Sequence, residues 1–160
     1  MTISRRVARP LMASMFIAGG LDALQHPDSK AKKAEPVALP LAEVLPLPDD
    51  PVALVRINGA VQLGAGLLLA LGRLPRLAAA ALAASLVPTT IAGHRFWDEP
   101  DDRARVQQRI HFLKNASMLG GLILAASDTE GRPSLSWRAR RMREKARDRV
   151  KTVKTVKGDD

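Results

Sequence analysis

At 160 residues the chain has room for one domain, and it contains no cysteine, which excludes a disulfide, a zinc–thiolate centre or a thiol nucleophile of its own. Twenty-five Lys and Arg outweigh sixteen Asp and Glu, for a formal net charge of +9. With 46% hydrophobic and only 3% aromatic residues, that charge has no stacking platform for nucleic acid and suits membrane orientation instead.

The first apolar segment spans about residues 7–24 and reads VARPLMASMFIAGGLDAL. Arg5, Arg6 and Arg9 precede its apolar run, as in a signal peptide. Three further apolar segments follow, so it reads as a retained helix with Pro10 in its opening turn. The connection 25–51 contains Pro27, Pro36, Pro40, Pro46, Pro48 and Pro51, and no long regular helix is expected there. A short surface helix fits residues 30–35. The apolar stretch 37–47 suits the bilayer surface.

The second segment, about 52–72, places Arg56, Asn58 and Gln62 in its first half. Asn58 and Gln62 are four apart and share a helical face. Ala60, Gly64 and Ala65 offer surfaces for close helix packing. A tight Gly72-Arg73-Leu74-Pro75 turn makes the second and third segments antiparallel neighbours. The third, about 74–93, is long enough to cross a hydrocarbon core of about 30 Å. Pro88 predicts a kink near residues 85–88, with Thr89 and Thr90 satisfying a freed carbonyl. The fourth, about 110–127, spans if Lys114 and Asn115 sit at an interface or face the bundle.

The resulting expectation is an all-α, polytopic membrane four-helix bundle over residues 1–127, followed by a basic cytoplasmic tail at 128–160. Residues 132–157 carry eleven Lys or Arg against Glu144 and Asp148, which suits anionic headgroups. A soluble bundle would need a broad polar helical face, which residues 77–93 lack. Arg5, Arg6 and Arg9, the Arg73/Arg76 turn and the tail fall on one side of four spans. The positive-inside rule then places both termini in the cytoplasm, with the chain in the inner (plasma) membrane.

Several motifs carry a family resemblance. They are Arg9 with Phe16-Ile17-Ala18-Gly19-Gly20, Asn58-Gly59 with Gln62-Leu63-Gly64-Ala65-Gly66, and Gly72 with Arg76. Lys114-Asn115 with Leu119-Gly120-Gly121 follows, and Ala92-Gly93-His94-Arg95-Phe96-Trp97 looks like the actinobacterial branch. On these residues, over about 5–127, the chain resembles the DoxX family of small four-helix bacterial membrane proteins. The resemblance implies a membrane subunit associated with oxidoreductases, some of them in thiosulfate–quinone chemistry and others in complexes that counter oxidative and thiol stress. Family members commonly carry an acidic residue near the start of the second-helix Gly motif, where this chain has Asn58 and Gln62. A Lys often follows the first Gly pair, where this chain has Asp22. Proton transfer at the Asn58–Gln62 position is disfavoured accordingly.

Asp22, Arg56, Asn58, Gln62, His94, Arg95, His111, Lys114 and Asn115 are the candidates for a polar site inside the bundle, because unpaired charge in hydrocarbon is costly. A structural reading pairs Lys114 with Asp22, and Arg56 with Asp98, Glu99 or a headgroup. It makes Asn58 and Gln62 interhelical hydrogen-bonding groups. His94 and His111 suit a quinone oxygen or a proton. Two histidines alone do not make a metal site, and no metal is expected. Phe96 and Trp97 suit an interfacial belt, and His26 faces water. There is no CxxC, nucleotide-binding Gly loop or Ser–His–Asp set, so no catalytic residue is assigned.

The first reading is a non-catalytic integral subunit of a redox or oxidative-stress-related complex. The others are an intrinsic quinone-interacting protein and a small permease or lipid-associated protein. Expected partners are membrane lipids and an oxidoreductase, without nucleic acid. The cofactor is open, with quinone as the candidate. The small-residue faces suit a homodimer as well as packing within one bundle.

Overall fold

The computed structural model describes residues 3–129, together with 137, 140–142 and 144. Five helices occur among them: α1 (Ile3–Gln25), α2 (Asp28–Val44), α3 (Pro51–Ala70), α4 (Pro75–Gly93) and α5 (Asp102–Ser127). α1, α3 and α4 are long and apolar enough to cross a membrane. The chain is therefore an all-α, multi-spanning membrane protein. α5 has 26 residues, but Asp102, Arg103, Arg105, Arg109 and Lys114 occupy its first half. Its apolar portion begins only after them.

Local chemistry sets the helix ends. Asp50 caps α3 by accepting hydrogen bonds from Val52 N (3.1 Å) and Ala53 N (3.0 Å), with Pro51 in the first helical position. α3 ends in a Schellman motif. Arg73 N donates to Leu68 O at 2.8 Å and Gly72 N to Leu69 O at 3.0 Å, with Gly72 at φ 67°. Leu74 follows in the left-handed region at φ 48°, ψ 44°, where its Cβ crowds the backbone. Asparagine tolerates that conformation. Leu74→Asn is therefore expected to raise stability by up to about 1 kcal/mol, read as a higher unfolding midpoint in detergent.

Two elements differ from the sequence expectation. α2 is a regular 17-residue helix with Pro36 and Pro40 inside it. Their spacing of four puts both prolines on one exposed face, so the carbonyls they deprive, at Lys32 and Pro36, cluster on the side away from the bundle. The opposite face buries Ala31 and Ala42 as α2 packs against α3 and α4. α5 starts at Asp102, eight residues before the expected 110. Asp101 caps it, accepting from Ala104 N at 2.7 Å, and Arg105 Nη1 lies 3.0 Å from Asp102 Oδ1.

α4 runs unbroken through Pro88. Proline leaves the Ala84 carbonyl without its helical donor. The threonine hydroxyls serve the neighbouring carbonyls instead: Thr89 Oγ1 donates to Ser85 O at 2.8 Å and Thr90 Oγ1 to Leu86 O at 2.7 Å.

The core centres on α4. Leu69, Leu82 and Leu122 are fully buried, with Ala13, Phe16, Ala65, Ala78, Ala79 and Leu86 around them. α1 and α3 approach each other closely at Gly20 and Gly59. Many large apolar side chains point outward, including Leu11, Leu67, Leu77 and Leu124. In a bilayer such residues meet lipid rather than water. This unit ends at Ser127, and residues from Asp128 onward form a second one. Of the second unit, Trp137, Arg140, Arg141, Met142 and Glu144 are helical, with the Arg141 guanidinium 5.2 Å from the Trp137 ring centroid. The rest of the basic tail lies outside the described residues.

Candidate polar site in the helix bundle

The strongest polar constellation joins α3 to α4. Asn58 and Gln62 are spaced by four on α3, and Ser85 and Thr89 by four on α4, so two polar stripes face each other. Ser85 Oγ donates to Asn58 Oδ1 at 2.7 Å and accepts from Gln62 Nε2 at 3.0 Å. Thr89 Oγ1 accepts from Asn58 Nδ2 at 3.1 Å and Gln62 Nε2 at 3.3 Å. Gln62 and Ser85 are buried, Asn58 is half-buried and Thr89 is exposed.

α4 carries a second, smaller set toward α5. Buried Asn115 Nδ2 donates to Thr90 Oγ1 at 3.1 Å. At the end of α4, His94 Nδ1 lies 2.8 Å from Gln108 Oε1. The His94 and His111 rings stack, with centroids 5.2 Å apart and planes inclined by 21°. Phe96, Trp97 and Phe112 pack edge to face beside them, with centroids 5.1–6.0 Å apart. Among the described residues no buried side-chain polar atom lacks a hydrogen-bond partner.

The charged candidates stand apart from these sets. Asp22 is exposed near the end of α1, where its carboxylate accepts from Lys30 Nζ and lies 3.1 Å from His26 Nδ1. Lys30 thus takes the place expected of Lys114, because it lies in the first turn of α2, a few residues past the end of α1. His26 is exposed and lies beside Asp22 at the same surface. Arg56 and Lys114 are exposed and form no ion pair among the described residues. Arg95 Nε donates to Ile91 O at 3.2 Å, and its Nη1 lies 3.9 Å from Asp98, the acid expected for Arg56. Glu99 instead accepts Arg105 Nε through its backbone carbonyl at 3.0 Å.

The nine candidates therefore divide into an α3–α4 amide–hydroxyl cluster, an α4–α5 contact at Asn115, a histidine stack and scattered surface charge. Sequence reading missed Gln108 and assigned Ser85 and Thr89 to a kink rather than to partnership with the amides. The four-residue spacing of Ser85 and Thr89, matching that of Asn58 and Gln62, was the available signal. Among the described residues no three His, Asp or Glu side chains come together as a metal site.

No curated protein and no solved structure matches the chain. The family model described as DoxX matches residues 5–95. That span runs from the first turn of α1 through α4, with the Asn58–Gln62 and Ser85–Thr89 stripes, and stops before α5, so the Lys114–Gly121 motifs lie beyond it. Because the match covers more than half of the 160 residues, the chain belongs to the DoxX family.

Proposed function

We propose that this protein is a non-catalytic integral membrane subunit that anchors a redox or oxidative-stress-related complex. In this reading α5 serves as a fourth span, both termini lie in the cytoplasm, and residues 128–160 rest on anionic headgroups of the plasma membrane. The carrying observation is the mutual satisfaction of the polar groups between α3 and α4. Asn58, Gln62, Ser85 and Thr89 are neutral and already bonded to one another. Such a cluster fixes helix positions and has no group of its own that exchanges a proton or an electron near neutral pH. Redox chemistry would come from a partner or cofactor.

The test is gentle detergent extraction from native membranes, followed by mass spectrometry of copurifying proteins and small molecules. A stoichiometric oxidoreductase is the expected result. A chain that purifies alone, with a specifically bound solute or quinone, would overturn the reading.

The stacked His94–His111 pair with Gln108 supports a second reading, as a quinone-interacting protein. Imidazole N–H groups suit a quinone oxygen. This reading expects copurified quinone that disappears in His111→Phe.

A further inference from the structure

We propose that α2 is an interfacial helix: its Val37, Leu41 and Val44 flank lies on the acyl chains just beneath the lipid headgroups, and its Lys32, Glu35 and Glu43 flank lies in water. This inference is independent of the proposed function and rests on the membrane-spanning fold. That fold fixes the end of the bundle at which α2 lies. α1 and α3 run antiparallel, since Gly20 meets Gly59 while Ala13 and Ile17, earlier in α1, meet Gly66, later in α3. The end of α1 and the start of α3 therefore share one end of the bundle. α2 joins them through the short links 26–27 and 45–50. The end of α4 is there too, because Asn58 near the start of α3 bonds Thr89. Trp97, 52% exposed and packed against Phe96 and Phe112, follows that end of α4, as tryptophan does where a span meets the membrane–water boundary.

Polarity around the helix then selects the surface on which α2 rests. Ala31 and Ala42, on one line of the helix, are both buried as α2 packs against α3 and α4, so it lies along the bundle rather than standing away from it. Val37, Leu41 and Val44 follow at spacings of four and three and form one flank beside that line. Leu41 is 40% and Val44 80% exposed. Lys32, Glu35 and Glu43 are exposed on the opposite flank. A helix sunk in hydrocarbon would strand these three charges, and a helix held clear of the bilayer would leave Leu41 and Val44 in water. The boundary alone suits both flanks at once. Exposed Lys33 lies on the outward face beside Val44, where its stem can run along the apolar flank and its ammonium reach the phosphates. A protein partner fits this flank less well. Three apolar side chains, with Val37 half-buried, offer far less than the roughly 800 Å² per partner that a stable interface buries.

The chain has no cysteine, so a single introduced one takes a nitroxide spin label at a unique position. The experiment places the full chain in vesicles of phosphatidylcholine and phosphatidylglycerol. It compares relaxation of the label by oxygen, which concentrates among acyl chains, with relaxation by a water-soluble nickel chelate. Labels at Leu41→Cys and Val44→Cys should be relaxed severalfold more by oxygen than by nickel, and labels at Lys32→Cys and Glu43→Cys the reverse. Val44→Cys keeps the test intact should labelling at Leu41 disturb the fold. Equal nickel access on the two flanks would overturn the proposal, because α2 would then stand clear of the bilayer. Oxygen access without nickel access at all four positions would do the same, with α2 immersed in hydrocarbon. So would labels at Leu41 and Val44 that are immobile and shielded from both reagents, since a protein partner or a second copy would then cover the flank.

Discussion

Gly20→Ala is expected to cost about 2–3 kcal/mol, because it forces apart a helix crossing with no room for a Cβ. A Cβ at this position would sit 2.7 Å from both Gly59 O and Leu63 N, and 3.1 Å from Gln62 Cβ. The first two neighbours are helical backbone, which cannot swing aside as a flexible side-chain end does. α1 would have to retreat from α3, weakening Phe16 and Ala13 in the core as well. Gly59→Ala should cost less, about 1–2 kcal/mol, since its nearest contacts are Ala23 Cβ and Gly20 O at 3.0 Å. Gly64 and Gly120 face open space. Alanine there should be neutral or gain up to about 1 kcal/mol by restricting the unfolded chain. Unfolding midpoints of the four variants in one detergent provide the check. If Gly20→Ala behaves like Gly64→Ala, the α1–α3 crossing is not as close as described.

The apolar spans and the turn between α3 and α4 are legible because each rests on one local property. Long apolar runs report membrane crossing directly, and Gly72 supplies the left-handed residue that a Schellman ending requires. The role of individual glycines is less legible. Gly19 and Gly20 look alike in sequence, yet only Gly20 meets backbone atoms of α3. Which member of a pair faces the neighbour depends on helix rotation, which tertiary packing sets.

α2 and the first turns of α5 are hidden for the opposite reason, that local signals argued against them. Proline counts penalise residues 25–51, but the penalty falls on a single exposed face and the other face still packs. Charge in residues 102–109 reads as loop until Asp101 is recognised as a cap. The candidate site follows the same division. Helical spacing alone puts Asn58 and Gln62 on one face, and their partners lie one tight turn away. Asp22 requires knowing that the chain turns straight into α2 after Gln25 and presents Lys30 from its first turn, a fact that depends on the overlooked helix.

Ser85→Ala should remove the central hydroxyl of the α3–α4 cluster at a cost of about 1–2 kcal/mol. Ser85 Oγ is both donor to Asn58 and acceptor from Gln62. Without it, Asn58 Oδ1 loses its donor, while both amides keep their bonds to Thr89. A double-mutant cycle with Gln62→Leu isolates the pair, and a coupling of about 0.5–1.5 kcal/mol is expected from membrane helix hydrogen bonds. Zero coupling would show that the two groups do not act together. The same variant separates the two kinds of role open to the cluster. If the cluster is a structural clamp, Ser85→Ala lowers stability while the molecules that remain folded keep their partner at full stoichiometry. If it binds a ligand, the variant loses that ligand while still fully folded, and the neutral, self-satisfied network would then have to open to receive it.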